Sequence, residues 1–350
     1  MRNAHGIHAS LRMGIGLGSG RRRFEREEQM SNRARVKQAP PLPLQKFSDP
    51  EFTAKGERRA VVPFTGLATL WFNTGTLCNI ACANCYIESS PKNDALVYLT
   101  RGEVGAFVEQ ARVAPAVPRE IGFTGGEPFM NPDFLGMVED CLDAGFRVLV
   151  LTNAMKPMQH KAEALLALHE RYPGQLAVRV SIDHYEAERH EAVRGARTWQ
   201  PAIDGIVWLS ENEFDLALAG RKLWTETETE LRDGYARVLG ALGVKLDMHD
   251  PARLVLFPEM DAHAEVPEIS EGCWSILRLR PDSVMCASSR MVVKRKGAKA
   301  PVVISCTLLP YADGFEMGAT LSEASRPVSL NHRHCAKFCV LGGASCSASR

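Results

Sequence analysis

No apolar run in this 350-residue chain approaches the roughly 18 residues that a membrane-spanning helix needs, so no membrane partner is expected. A convincing secretory leader is also missing. Met13–Gly18 is too short and too glycine-rich for an apolar signal core, and Arg21–Arg23 runs into Phe24-Glu25-Arg26-Glu27-Glu28, which is not apolar. Net charge is nearly absent, +1 overall, and nucleic acid is not expected as a partner. That balance hides an asymmetry. Residues 1–45 hold nine Lys/Arg against three Asp/Glu, residues 273–350 hold eleven against four, and the stretch between is acidic. A solvated surface accounts for this bias as well as an anionic substrate or partner near the C-terminal part does.

Cysteine is plentiful instead. Ten is high for a chain without a leader, and they cluster: three at 78–85, one at 141 and six at 273–346. A secreted disulfide framework is therefore not expected. Metal-bound thiolates in a reducing, cytoplasmic compartment fit better.

Residues 1–60 read as a disordered basic extension, Arg-rich, with Pro40-Pro41-Leu42-Pro43 and no sustained apolar period; Met30 is an alternative start. Order is expected from Val61. Strands are expected at 67–72, 120–123, 146–152, 176–183, 214–219 and 254–257, with helices between them at 99–111, 159–171, 200–211 and 225–241. A further helix follows Asn131-Pro132, read as N-cap and first helical position. Its apolar face includes Cys141, expected as a small core residue. Strands alternating with helices predict an α/β fold with a parallel sheet, and the motifs, falling at strand C-termini, favour a barrel. The predicted architecture is a partial (β/α)6 TIM-like barrel over 61–265 followed by a small cysteine-rich domain over 266–350.

Cys78, Cys82 and Cys85, with three and then two residues between them, stand just after the first of these strands. Three thiolates can hold three irons of a cubane and leave the fourth open for chemistry. The competing reading is a zinc site, which wants a fourth ligand; the loop has no histidine to supply it. Gly125-Gly126-Glu127-Pro128 then ends the second strand. Together with Tyr86 after the third cysteine, these motifs resemble the radical S-adenosylmethionine (SAM) superfamily. The resemblance implies a [4Fe-4S] cluster on Cys78, Cys82 and Cys85. It implies SAM with its methionine amine held at Gly125, Gly126, Glu127 and Pro128. Asn153 ends the third strand, where the family often has a polar residue near the cofactor. Ser181 and Arg194 are implied at the SAM ribose and carboxylate, although His184 stands where the family often has glycine. His190 and Arg194-Gly195 fit the pattern, and Leu254–Phe257 would flank the adenine. No catalytic side chain is named. The implied chemistry is reductive cleavage of SAM to a 5′-deoxyadenosyl radical that takes a hydrogen atom from the substrate.

The later cysteines resemble, more loosely, the SPASM and twitch auxiliary-cluster domains of such enzymes. Cys273 and Cys286 flank an expected hairpin with a Pro281-Asp282 turn. Six cysteines are too few for two four-cysteine clusters. One auxiliary [4Fe-4S] cluster is expected, on Cys273, Cys286, Cys335 and Cys339, with Cys306 or Cys346 as alternates and His332 and His334 as further possible ligands. The resemblance implies a peptide or protein substrate and a one-electron donor such as flavodoxin or ferredoxin. The alternatives are the same chemistry on a small molecule in cofactor biosynthesis, and a non-catalytic iron–sulfur redox or scaffold protein. Lys294-Arg295-Lys296 and Lys299 could receive an acidic peptide, a phosphorylated small molecule or only water.

Overall fold

The computed structural model describes residues 45–83, 85–114, 117–259 and 265–343. The basic stretch at 1–44 with Arg21–Arg23, Met30 and the proline run, and Cys346 at the other end, lie outside the described residues. No helix of the described residues is long and apolar enough to cross a membrane.

Nine strands form one sheet. In chain order they are β2 (Thr69–Asn73), β3 (Glu120–Thr124), β4 (Arg147–Thr152), β5 (Leu176–Ser181), β6 (Asp215–Lys222), β7 (Leu254–Pro258), β8 (Ser289–Val293), β9 (Val302–Ile304) and β10 (Glu316–Gly318). A separate pair joins β1 (Val61–Val62) to β11 (Val328–Ser329). The spatial order of the large sheet is β10-β9-β8-β2-β3-β4-β5-β6-β7. Strands β2 to β7 pair in parallel with helices between them, which gives the partial TIM-like barrel the alternation predicted. β2 and β3 are buried along their whole length, as parallel strands covered on both faces must be. Trp71 is paired with Gly122, where any side chain would meet the indole, its Cβ lying 2.4 Å from a ring carbon.

Helix starts follow local chemistry. Thr100 and Glu103 form a reciprocal capping box for Arg101–Arg112, and Thr227 and Glu230 do the same for Glu228–Ala241. The expected cap at Asn131 is corrected. The helix starts at Phe134, and Asn131 instead ties loops together. Its Nδ2 donates to Leu99 O at 2.9 Å and Thr74 O at 3.2 Å, and its Oδ1 accepts from Asp133 N at 2.9 Å. Cys141 is fully buried among apolar neighbours, as expected.

Three expectations need correction. First, the segment 45–60 is not a disordered extension. Arg59 is 1% exposed, donates to the backbone of Asp49, Phe52 and Leu330, and pairs with Glu268 at 2.6 Å. The sequence reads this arginine as a solvated charge, whereas it is a buried clamp between the two ends of the described chain. Second, the C-terminal part does not stand apart at 266. β8 continues the barrel sheet in parallel with β2, and β9 and β10 extend it antiparallel. Pairing β8 with β2 covers an apolar strand edge that would otherwise be unpaired. Third, no hairpin lies between Cys273 and Cys286. A short helix, Cys273–Leu277, is followed by two 3-10 turns, Pro281–Ser283 and Met285–Ala287. Asp282 pairs with its near neighbour Arg280 and so closes a local turn, with no second strand opposite.

Candidate functional site

The C-terminal ends of β3 to β7 surround a cavity of about 140 Å³. Cys78, Cys82, Cys85 and Tyr86 line it, together with Gly125, Gly126, Asn153, Ser181 and Arg194. Nine residues predicted as cofactor ligands or contacts, from five separate segments of the chain, thus line one cavity. Glu127 and Pro128 are not among the lining residues.

The loop that carries the three thiols is stitched at several points. Cys78 N donates to Ser90 O at 3.1 Å, Ala83 N to Val193 O at 2.7 Å, and Glu88 N to Cys85 O at 2.9 Å. Cys78 is 5% exposed, and burial pushes its thiol up to about 12, helped by Glu127, Cys82 and Cys85 nearby. Burial also raises Cys82, against the lowering field of Arg194. Thiols so placed resist ionisation until a cation compensates them, which is what metal–thiolate bonding does. No three or more His, Cys, Asp or Glu among the described residues are arranged to hold a single metal ion. Three thiols lining one cavity are the donor type that an iron–sulfur group takes.

Gly125 and Gly126 have a role that the sequence reading gives only to the ligand. Gly125 has φ +143°, and a Cβ on Gly126 would lie 2.1 Å from Leu77 O. The close approach lets Gly126 N donate to Gly75 O at 2.8 Å and Glu127 N to Leu77 O at 3.1 Å, locking the end of β3 to the stem of the cysteine loop.

Glu127 corrects an expectation. Its carboxylate does not face the cavity; it accepts from Thr152 Oγ1 at 2.8 Å, Asn153 N at 2.9 Å and Phe129 N at 3.3 Å. Burial pushes it up to about 7 despite these donors. It joins the ends of β3 and β4 and so positions Asn153, whose Nδ2 reaches Asn79 Oδ1 at 2.8 Å beside Cys78. Glu127→Ala strands three buried donors, and a loss of about 3 kcal/mol or more is expected in denaturant unfolding. A loss under about 1 kcal/mol would show that water replaces the carboxylate.

At the end of β5, Arg194 donates to Asp183 from Nε at 2.9 Å and from Nη2 at 3.3 Å, and Arg221 Nε lies 3.4 Å from the same carboxylate. Burial alone would raise Asp183, but the two guanidiniums hold it below the usual carboxylate range. His184, in the place of the family's glycine, is fully buried; its Nδ1 accepts from Glu186 N at 2.9 Å and its Nε2 lies 3.1 Å from Glu226. His190 is also fully buried and packs edge-on against Trp199. Arg179 and Arg221 were missed as lining residues. A signal was available for one of them: Arg179 interrupts the apolar run of β5 and shares a face with Ser181, whereas Arg221 stands at the polar end of β6 beside Lys222.

The later cysteines meet at a second, small cavity. Cys286, Cys306, Cys335 and Cys339 line it with His334 and apolar residues including Leu308 and Phe315. Burial, then the fields of Cys306 and Cys286, push the Cys335 thiol well up. Leu308 N donates to Cys306 Sγ at 3.3 Å. Cys273 is not part of this group; its thiol lies 3.6 Å from Ser270 Oγ. Of the expected set, Cys286, Cys335 and Cys339 line this cavity together with the alternate Cys306, and Cys273 does not. Spacing along the chain favoured the pair 273/286, but the short helix at 273–277 carries Cys273 elsewhere. Cys335–Val340 forms a π-helical turn whose Phe338 stacks on Phe257 of β7 at 5.4 Å and lines the main cavity. Leu308 lines both cavities. The basic run at 294–296 is neutralised within the fold, Lys294 by Glu103, Arg295 by Glu316 and Lys296 by Asp94.

Residues 72–220 match the Radical SAM superfamily. The chain is 29% identical over 191 residues to the antilisterial bacteriocin subtilosin biosynthesis protein AlbA of Bacillus subtilis, covering 53% of this chain and 41% of that protein. It is 32% identical over 114 residues to a GTP 3′,8-cyclase of Rhodococcus opacus, covering 32% of this chain and 30% of that one. Both matches span less than half of the relative's length. Among solved structures, SuiB of Streptococcus suis bound to precursor peptide SuiA aligns with a TM-score of 0.52 at 9% identity, over 85% of this chain and 75% of that one. The structure of anSMEcpe with bound AdoMet and Kp18Cys peptide aligns with a TM-score of 0.52 at 16% identity, over 76% and 82%. At these identities the likeness is one of fold.

Proposed function

Because residues 72–220 are a radical SAM domain, we propose that the protein binds SAM at a [4Fe-4S] cluster and cleaves it reductively to act on a peptide or protein substrate. The observation that carries this reading is the shared cavity. Three cysteine thiols and the Gly125–Gly126 backbone meet Ser181 and Arg194 there. The bound cluster would supply one electron to the SAM sulfonium, releasing methionine and a 5′-deoxyadenosyl radical that abstracts hydrogen from the substrate.

The residues of the chain do the rest. Cys78, Cys82 and Cys85 hold three irons and leave one open. Gly125 and Gly126 offer backbone to the methionine amine, and Glu127 acts behind them as a positioning residue. Arg194, fixed by Asp183, receives the SAM carboxylate through its planar fork. Ser181 meets the ribose, and Asn153 lies beside Cys78. Phe257 and Phe338, stacked on each other, add apolar surface to the cavity, and a radical needs a dry site.

Cys286, Cys306, Cys335 and Cys339 are the proposed ligands of one auxiliary cluster. Cys306→Ala is expected to lower iron from about eight to about four per chain, and Cys273→Ala to leave it unchanged. The reverse result would restore the set read from spacing. A one-electron donor such as flavodoxin or ferredoxin is proposed as partner. A peptide substrate is supported by the relation to AlbA, which serves bacteriocin biosynthesis. A small molecule is the second reading, favoured by the match to GTP 3′,8-cyclase. Anaerobic reconstitution followed by dithionite and SAM tests the chemistry. 5′-Deoxyadenosine is expected, and its absence with zinc bound at Cys78, Cys82 and Cys85 would support the non-catalytic reading.

A further inference from the structure

Arg194 is placed to do more than meet SAM. Ala83 N donates to Val193 O at 2.7 Å, which ties the cysteine loop to the end of the helix Ala187–Arg194. Cys82 directly precedes Ala83, Arg194 directly follows Val193, and both line the main cavity. The guanidinium is held there by Asp183, to which it donates from Nε at 2.9 Å and from Nη2 at 3.3 Å. The two side chains are only 11% and 3% exposed, so salt screens their charges little. The Cys82 thiol registers both. Burial raises it most; Arg194 then lowers it and Asp183 raises it. Arg221, 3.4 Å from Asp183, adds a further lowering field.

Both charges are permanent near neutral pH, since a guanidinium keeps its proton and Asp183 is held below the usual carboxylate range. They persist when the thiols give up their protons to bind iron. Reduction of the cluster adds one electron, taken from the external donor, and no bond forms or breaks. A cation beside a ligand favours the added negative charge, and an anion there opposes it. Resting on the [4Fe-4S] reading above, we propose that the Arg194–Asp183 pair sets the reduction potential of this cluster from beside Cys82, Arg194 raising it and Asp183 lowering it. The opposed signs hold whatever the total charge of the cavity, thiolates included. The SAM carboxylate, once on Arg194, would offset the same cation, so the effect is read with SAM absent.

The test is a potentiometric titration of the full chain, reconstituted anaerobically without SAM and followed by electron paramagnetic resonance. The signal of this cluster is the one absent from Cys82→Ala. At a fixed potential, Arg194→Gln is expected to cut the ratio of reduced to oxidised cluster about tenfold, the effect of one charge in a partly buried site and equal to a midpoint about 59 mV lower. Asp183→Asn, which keeps an acceptor for Arg194, should move the ratio the other way by a similar factor. Arg194→Lys keeps the charge and should stay within about threefold of the unaltered protein. The auxiliary-cluster signal should not move in any of them. Iron content and melting temperature establish that each variant is folded and loaded; if Arg194→Gln does not load, Asp183→Asn decides alone. A ratio unmoved in both overturns the proposal, as does a shift of the same sign in both. A fall in Arg194→Lys equal to that in Arg194→Gln would make the role one of shape and overturn it too. 5′-Deoxyadenosine formed by a protein whose potentials do not move would leave the proposed function standing and remove this inference alone. Zinc in place of iron at Cys78, Cys82 and Cys85 would remove both.

Discussion

Cys82→Ala is expected to abolish 5′-deoxyadenosine formation, by at least about a thousandfold, in a protein that still folds. Cys82 is half-buried, where Cys78 is buried, and it lies outside the apolar core. Its replacement by alanine therefore removes a ligand with little loss of packing. The neighbouring loop contacts are backbone hydrogen bonds, from Ala83 to Val193 and from Glu88 to Cys85, and they do not involve its thiol. A cluster left with two protein ligands is labile, so iron at this site should fall together with product. Iron counting, circular dichroism and product analysis of one preparation separate loss of the cluster from loss of fold. Product formed at the unaltered rate would sink the assignment of Cys82 as a ligand.

Gly126→Ala is the second large effect. The added methyl would lie 2.1 Å from Leu77 O and 2.5 Å from Leu77 C, both backbone atoms one residue from Cys78. Neither can rotate away as a side chain would. The two strand ends must separate, breaking the bonds from Gly126 N to Gly75 O and from Glu127 N to Leu77 O. A loss of about 3 kcal/mol or more is expected, with reduced iron retention, because the stem of the cysteine loop moves. Gly105→Ala is the control. It lies within the helix Arg101–Arg112 with nothing within 4 Å of the new methyl, and should stabilise by about 0.5–1 kcal/mol. Equal melting temperatures for the two variants would refute the steric argument.

The readable part of this sequence was the part where function depends on neighbours along the chain. The cysteine loop and Gly125–Pro128 are contiguous motifs, and the three cysteines, Gly125 and Gly126 border the cavity by virtue of following successive strands. The barrel strands were legible because parallel strands covered on both faces are almost wholly apolar. Contacts between distant segments were not legible. Nothing local distinguishes Cys306 from Cys273 as a partner of Cys335, since only the folded route of the chain decides which thiol arrives. Arg59 resembles any charged residue of a polar segment until Glu268 meets it. Glu127 ends the second barrel strand as the motif suggests, but its carboxylate turns to Thr152 and Asn153, because sequence shows which residue sits at a strand end and not which way it turns.

The pairing of β2 with β8 also has a temporal side. β2 leads directly into the cysteine loop, and the strand that completes its other edge lies roughly 220 residues later. A chain made from its N-terminus has this edge open until β8 has emerged. Such a distant pairing is slow to close. The frame around the three thiols is thus finished by a strand that arrives long after the thiols themselves.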